Sequence, residues 1–326
     1  MSNDDIAVIV VNYGTASLAI AAVESVLART HGGRSIEVHL VDNASPGDDV
    51  QKLKEWWRDC ARGHLVTLHL ETENHGFGRG NNVVLQQLEA RDTPPSMVMF
   101  LNPDATLENE AIDILAQTLE TNDKAVMAGA GIRKPDGTPV SAAFRFPSAA
   151  SEFCGAINFG PVARLFKQHE VPLPPDHPGG QVDWVAGAAV LARFDALKAQ
   201  NFFDPDFFLY FEEVELMHRL QKADGQILYV PEARVVHAEG AATGVKSGRR
   251  ERKRQPAYWY DSWQLYFRKT HGWKSARRIA RLRLLGAYLG YPLAWLRGRA
   301  PGLPLNFLKD FQTHALKPLL RNMSSR

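Results

Sequence analysis

The segment Ile6–Asn12 reads Ile-Ala-Val-Ile-Val-Val-Asn, apolar without alternation until its last residue. A strand with one wet face alternates apolar and polar side chains, whereas an unbroken run needs cover on both faces. Such runs belong inside parallel sheets, and this one constrains the chain more than any other segment. The succeeding segments repeat the theme. Apolar residues at helical spacing occupy 17–28, with Ser17 as the expected N-cap. A strand over 36–41 ends in the turn Asp42-Asn43-Ala44-Ser45-Pro46-Gly47. A helix over 50–61, a strand over 65–70, a helix over 81–88, a strand over 97–101 and a helix over 108–119 continue the series.

Strands alternating with helices predict an α/β fold with an open, mostly parallel, Rossmann-like sheet covered on both faces. Ligands of such sheets bind at the carboxyl ends of strands. The polar clusters at Asn12, at Asp42 and at Asn102 with Asp104 all stand at such ends. Beyond Gly129 the elements shorten. A Pro/Gly-rich connector spans 172–180, and a strand-like stretch over 182–192 is broken by the small turn Ala186-Gly187-Ala188. A helix over 212–223 begins with acids, which the helix dipole favours there. Short strands are expected over 226–230 and 234–236, and a helical, basic region from about 258.

Composition narrows the setting. The two cysteines, Cys60 and Cys154, support no disulfide framework and fit a reducing, cytoplasmic compartment. The first apolar run is too short for a signal segment. No stretch reaches the roughly 18 uninterrupted apolar residues of a spanning helix; Gly286, Gly290 and Pro292 interrupt the nearest, 284–296. Charge is segregated. Residues 246–326 hold 19 basic and 3 acidic side chains, while the first 245 hold 19 basic and 33 acidic ones. The basic run 246–254 reads as a loop over donor phosphates or a contact for a lipid diphosphate. Arg277, Arg278, Arg281 and Arg283 precede the stretch 284–296, and Arg297 and Arg299 follow it. Such flanks fit a helix lying on the inner face of an anionic membrane; a helix packed on the protein body is the alternative. No nucleic-acid-binding module accompanies the charge, so no nucleic acid is expected.

Three groups can carry chemistry. Asp42 and Asp104 end different strands, and Mg²⁺-like cations take few carboxylates together with diphosphate oxygens. His237 at a strand end is either a further ligand or a structural histidine. In the segment 202–215, aromatic rings crowd Glu212 and Glu213, which suits a general base with a raised pKa; favourable acids at a helix start are the bland alternative. The stretch Asn74-His75-Gly76-Phe77-Gly78-Arg79-Gly80-Asn81-Asn82 lacks the register of a dinucleotide fingerprint. It reads as a phosphate- or ribose-holding helix start at Asn81, or as a tight glycine turn.

One ordered set is far more specific than its parts: Val10-Val11-Asn12-Tyr13, Val41-Asp42-Asn43-Ala44-Ser45, Asn74-His75-Gly76-Phe77-Gly78, Leu101-Asn102-Pro103-Asp104, Trp184-Val185-Ala186-Gly187, 203–213 and Val236-His237. Over about residues 6–245 it resembles glycosyltransferase family 2, and within it the rhamnosyltransferase-like bacterial branch. The resemblance implies a GT-A fold. A catalytic domain would span 1–245, its nucleotide-binding half about 1–128 and its acceptor-side half about 129–245, before a basic, mainly helical extension over 246–326. It implies donor contacts at Asn12, Tyr13, Asp42, Asn74, Gly76, Asn81, Asn102 and Asp104. It places Mg²⁺ or Mn²⁺ on Asp104, with His237 a further ligand. The catalytic base falls at Glu213, beside Glu212, where the family carries an aspartate; the glutamate is one methylene longer. The implied reaction is inverting transfer from a nucleoside diphosphate sugar to a cell-surface glycan or a lipid-diphosphate-linked acceptor. dTDP-L-rhamnose is the favoured donor and a UDP-sugar the alternative. A non-catalytic nucleotide-sugar or polyanion-binding module is the reading from another class.

Overall fold

A computed structural model describes residues 5–238 and 252–321. Their strands are β1 (Ile6–Asn12), β2 (Ile36–Asn43), β3 (Val66–Glu71), β4 (Met97–Leu101), β5 (Ala105–Leu107), β6 (Ala125–Arg133), β7 (Ala143–Phe144), β8 (Gly180–Val182), β9 (Trp184–Val185), β10 (Ala189–Arg193) and β11 (Gln226–His237). The helices are α1 (Ala16–Leu27), α2 (Asp49–Asp59), α3 (Gly76–Glu89), α4 (Ala111–Glu120), α5 (Ala149–Ile157), α6 (Gly160–Leu165), α7 (Phe194–Ala199), α8 (Glu212–Lys222), α9 (Ala257–Leu296), α10 (Phe307–Phe311) and α11 (Lys317–Arg321). The described residues divide into two compact units. The first draws on 5–144, 172–206 and 216–238, the second on 145–171, 207–215 and 252–321. Most of the basic run 246–254 lies outside the described residues.

The first unit holds the expected sheet, ordered β3-β2-β1-β4-β10-β6-β11-β5, with β8 against β11. The strands β3, β2, β1 and β4 run parallel, and all seven residues of β1 are buried, as their unbroken apolarity requires. Asn12 pairs in register with Asp42, which brings two polar strand ends side by side. Chain order reverses around β1, with β2 on one side and β4 on the other, the place where open α/β sheets take ligands. β10 enters antiparallel between β4 and β6.

Several boundaries move for tertiary reasons. α1 starts at Ala16, with Thr15 rather than Ser17 at its cap position. Its free N–H groups are met from outside the helix: Asn12 Oδ1 accepts from Thr15 N, and Asp49 Oδ2 accepts from Ala16 N at 3.0 Å. α3 starts at Gly76 rather than Asn81, so the glycine-rich stretch is helix. Gly76 has φ +73°, and a Cβ on Gly80 would stand 3.0 Å from Val11 Cγ1; these glycines serve the turn into the helix and its close approach to β1. The two short strands expected after 226 are one, β11, with a register shift between Val230 and Arg234 around Pro231.

In the second unit α9 carries a non-helical Gly272 (φ 77°) and packs on α5. Its buried face includes Trp263, Tyr266, Phe267, Leu284 and Ala287. Glu152 of α5 accepts from Trp263 Nε1 at 2.9 Å and pairs with Arg283. The guanidinium of Arg283 lies over the rings of Trp259, Trp263, Phe307 and Phe311. A cation drawn this far from water needs both the carboxylate and the ring faces.

Candidate active site

At the carboxyl end of β1 the Asn12 amide is a hub. Its Nδ2 donates to Asp42 Oδ1 at 2.9 Å, Ser45 Oγ at 3.0 Å and Asp49 Oδ2 at 3.2 Å. Asp42 Oδ2 accepts from Ser45 N at 3.0 Å. Both carboxylate oxygens of Asp42 are thus engaged, and the side chain is fully buried. Its place is to shape the 42–49 loop; beside that network Tyr13 is 49% exposed. Asp49, absent from the expected site, is the second carboxylate of this hub. Only its place at the start of a helix was visible beforehand, and that is equally a surface feature.

Asn43 forms a second hub. Its Nδ2 donates to Asn74 Oδ1 at 3.1 Å and to the Gly76 carbonyl at 3.0 Å, and its Oδ1 accepts from His75 N at 3.0 Å. Asn74 Oδ1 also accepts from Gly76 N at 2.9 Å. Asn74 and Gly76 therefore lie together, tied to β2. Asn81 turns back into α3, donating to the Phe77 carbonyl at 2.9 Å. Its neighbour Asn82 clamps Phe203 through both backbone groups, at 2.8 and 3.1 Å.

The third cluster is made by strand register. β5 runs antiparallel to β11 with Ala105 opposite His237, so Asp104 and His237 become neighbours although 133 residues separate them. His237 Nε2 lies 2.9 Å from Asp104 Oδ1, with side-chain exposures of only 15% and 7%. Ala238 N donates to the Asp104 carbonyl at 3.0 Å, and Ala105 N donates to the Asn102 carbonyl, which holds the Asn-Pro-Asp turn. One carboxylate and one imidazole suit Mg²⁺ or Mn²⁺ when diphosphate oxygens and water complete the shell. Among the described residues no cluster of three or more potential protein ligands occurs.

In the second unit the acidic pair opens α8. Tyr210 and Phe211, immediately before it, have φ of +72° and +67°. Left-handed backbone is costly for bulky residues, about 1–3 kcal/mol each, and persists only where surroundings enforce it. The enforcers are the first turns of α9. Tyr258 stacks on Tyr210 with ring centroids 6.0 Å apart, Trp259 and Tyr266 hold Phe211, and Ser262 Oγ donates to the Leu209 carbonyl at 2.8 Å. The elbow delivers Glu212 into a buried position, 3% exposed, with Oε2 lacking a hydrogen-bond partner. Burial, and then the charge of Glu213, push the Glu212 carboxyl well above its ordinary range. Burial also raises Glu213, against the backbone N–H groups of Glu213 and Val214 at the helix start. Glu213 is only partly buried and so keeps access to solvent. The strained elbow could not be read from sequence, because neither residue is a glycine or asparagine.

Residues 7–158 match the family model of glycosyl transferase family 2. Over that segment the chain is similar to glycosyl transferase family 2. The relatives agree. An N-acetylglucosaminyl-diphospho-decaprenol L-rhamnosyltransferase of Mycobacterium tuberculosis is 28% identical over 223 residues, 65% of this chain and 69% of that protein. The rhamnosyltransferase WbbL of Escherichia coli is 25% identical over 165 residues, 50% of this chain and 61% of the relative. In structure the chain is similar to GalNAc-T7 with UDP, GalNAc and Mn²⁺ (TM-score 0.58, 13% identity), covering 98% of this chain and 56% of that one. It is also similar to a mannosyltransferase of Pyrobaculum calidifontis in complex with GDP-Man and Mn²⁺ (TM-score 0.53, 14% identity), covering 98% and 79%. The fold is that of GT-A glycosyltransferases, and the matched family and the relatives share glycosyl transfer as the class of reaction.

Proposed function

We propose that the protein is an inverting, divalent-metal-dependent rhamnosyltransferase. It would move L-rhamnose from dTDP-rhamnose to a hydroxyl of a lipid-diphosphate-linked glycan in cell-wall polysaccharide synthesis. The observation that carries this reading is the Asp104–His237 pair, built by the β5–β11 register inside a chain similar to family 2. The donor sugar rests on the rhamnosyltransferase relatives, and the lipid-linked acceptor on the name of the mycobacterial one.

Asp104 and His237 would hold Mn²⁺ or Mg²⁺, which supplies positive charge for the departing diphosphate. The Asn12–Asp42–Ser45–Asp49 network sets the loop from which Tyr13 meets the nucleoside, and Asn43 with Asn74 sets the start of α3. Asn102 shapes the turn that presents Asp104. Glu213 takes the acceptor hydroxyl proton while that oxygen bonds to the anomeric carbon and the carbon–diphosphate bond breaks on the opposite face. One displacement inverts the anomeric centre. Solvent access favours Glu213 over the enclosed Glu212 as the base.

A calorimetric screen of dTDP-rhamnose and UDP-sugars, with and without Mn²⁺, tests the reading. The expected result is Mn²⁺-dependent binding of dTDP-rhamnose that Asp104→Ala abolishes and His237→Ala weakens less. Preference for a UDP-sugar would replace the donor. An absence of metal-dependent binding by any nucleotide sugar would overturn the catalytic assignment.

A further inference from the structure

Beyond Gly272, α9 has two faces of opposite character. One packs on α5 through small residues: a Cβ on Gly286 would stand 2.5 Å from the Phe153 carbonyl oxygen, and one on Gly290 would stand 2.6 Å from that of Ile157. The face turned away from α5 is apolar yet open to solvent. Leu285, Tyr288, Leu289, Trp295 and Leu296 recur along it at helical spacing, with Trp295 79% and Leu296 72% exposed. The stripe from 285 to 296 is about 16 Å long at about 1.5 Å per residue. Its ends are basic. Lys274, Arg278 and Arg281 precede it and Arg299 follows, all exposed and none in an ion pair among the described residues. No acidic residue occurs between Asp261 and Asp310.

The packed face shows that this helix belongs to the folded second unit, so the exposed stripe is a fixed surface and not a loose tail. A solvated helix would carry polar side chains where Leu285, Leu289 and Trp295 stand. A second copy docking on the stripe would bring cationic ends against cationic ends in either direction, with no carboxylate to answer them. No helix of the described residues is long and apolar enough to cross a membrane. We propose that this stripe is a docking surface for an anionic lipid bilayer, with residues 273–299 lying along the headgroup boundary. Leu285, Leu289 and Leu296 enter the acyl edge, Tyr288 and Trp295 sit at headgroup depth, and the four cations meet lipid phosphates. This surface does not depend on the assignment of donor or base, because lipid binding is read without sugar transfer.

The test is co-sedimentation of the full chain with phosphatidylglycerol-containing vesicles and with pure phosphatidylcholine vesicles across a salt series. The expected result is binding to the anionic vesicles at low salt, with a smaller fraction surviving high salt. The variant R278Q/R281Q/R299Q should partition on the order of a hundredfold more weakly at low salt, at about fivefold per cation near an anionic surface. The variant L285Q/L289Q/W295Q should lose the salt-resistant fraction. All six positions are exposed, so an unchanged thermal melt is expected of both, and W295Q alone serves if the apolar triple variant melts early. Failure of the full chain to bind anionic vesicles at low salt would overturn the proposal. So would binding by both variants equal to the parent. Sedimentation showing a dimer that the apolar variant abolishes, without vesicle binding, would assign the face to a second copy instead.

Discussion

The carboxylates at the ends of the strands and the carboxylates at the start of α8 are buried under opposite rules. Asp42 is fully enclosed, and both of its oxygens have donors within 3.0 Å. Glu212 is almost as enclosed, yet one oxygen has no partner and its nearest charge is another carboxylate. A buried polar group that is satisfied works as a fastener, whereas one left unsatisfied is a cost that the rest of the fold must carry. The first region spends its hydrogen bonds on loop geometry. The second holds an acid pair out of its comfortable state, behind two residues of left-handed backbone. Such an environment suits a carboxylate that is to accept a proton.

The sharpest way to break this contrast is Glu213→Gln. Turnover should fall by about 10²–10⁴-fold, the range for losing general-base assistance, with donor affinity nearly intact. Steady-state kinetics beside donor calorimetry would check it, and a larger loss from Glu212→Gln would move the base by one residue. A third kind of burial sharpens the comparison. Glu152 is enclosed with Arg283 as its partner, so Glu152→Ala strands a guanidinium among aromatic rings. Denaturant unfolding should register a loss of about 3–5 kcal/mol. Removing a fastener should cost less: Asn12→Ala takes the donor from Asp42 Oδ1 and leaves Asp49 Oδ2 with Ala16 N alone, and about 1–3 kcal/mol of stability should go.

The smallest effect has the opposite sign. The Glu212 carboxyl is raised above 4.5 in the folded chain by burial and then by Glu213. The folded state therefore holds its proton more tightly than the unfolded state does. Stability from this group is fully present below the unfolded value and is lost as pH rises through the folded one. Glu212→Gln should accordingly stabilise the protein at neutral pH, by about 0.5–2 kcal/mol, as relief of functional strain commonly does. The gain should vanish in melts below pH 4.5, and a gain that persists there would mean the group is not desolvated in the native state.

Much of the first region was legible in the chain itself. The unbroken apolarity of Ile6–Asn12 and the polar residues closing successive strands located the sheet and its polar carboxyl edge. The glycines of 76–80 were legible as special but not as helix, because their reason is the nearness of Val11, a residue of another strand. Asp49 was invisible for the same cause: its partners Asn12 and Ala16 lie more than thirty positions away. In the second region the sequence left open whether 284–296 packs or faces lipid. The tertiary structure shows the helix packed through small residues on one side and carrying large exposed ones on the other.

Periodicity is a local property, and it sufficed by itself to determine that this chain builds a buried parallel sheet with polar strand ends and a basic helical close. Proximity across the chain is not local. That Asp104 meets His237 depends on the register of β5 against β11, and that Glu212 is desolvated depends on the aromatic clamp of α9 over Tyr210 and Phe211. Only the tertiary structure decided these points, because register and burial are set by the packing of many side chains at once, and no short window of residues contains them.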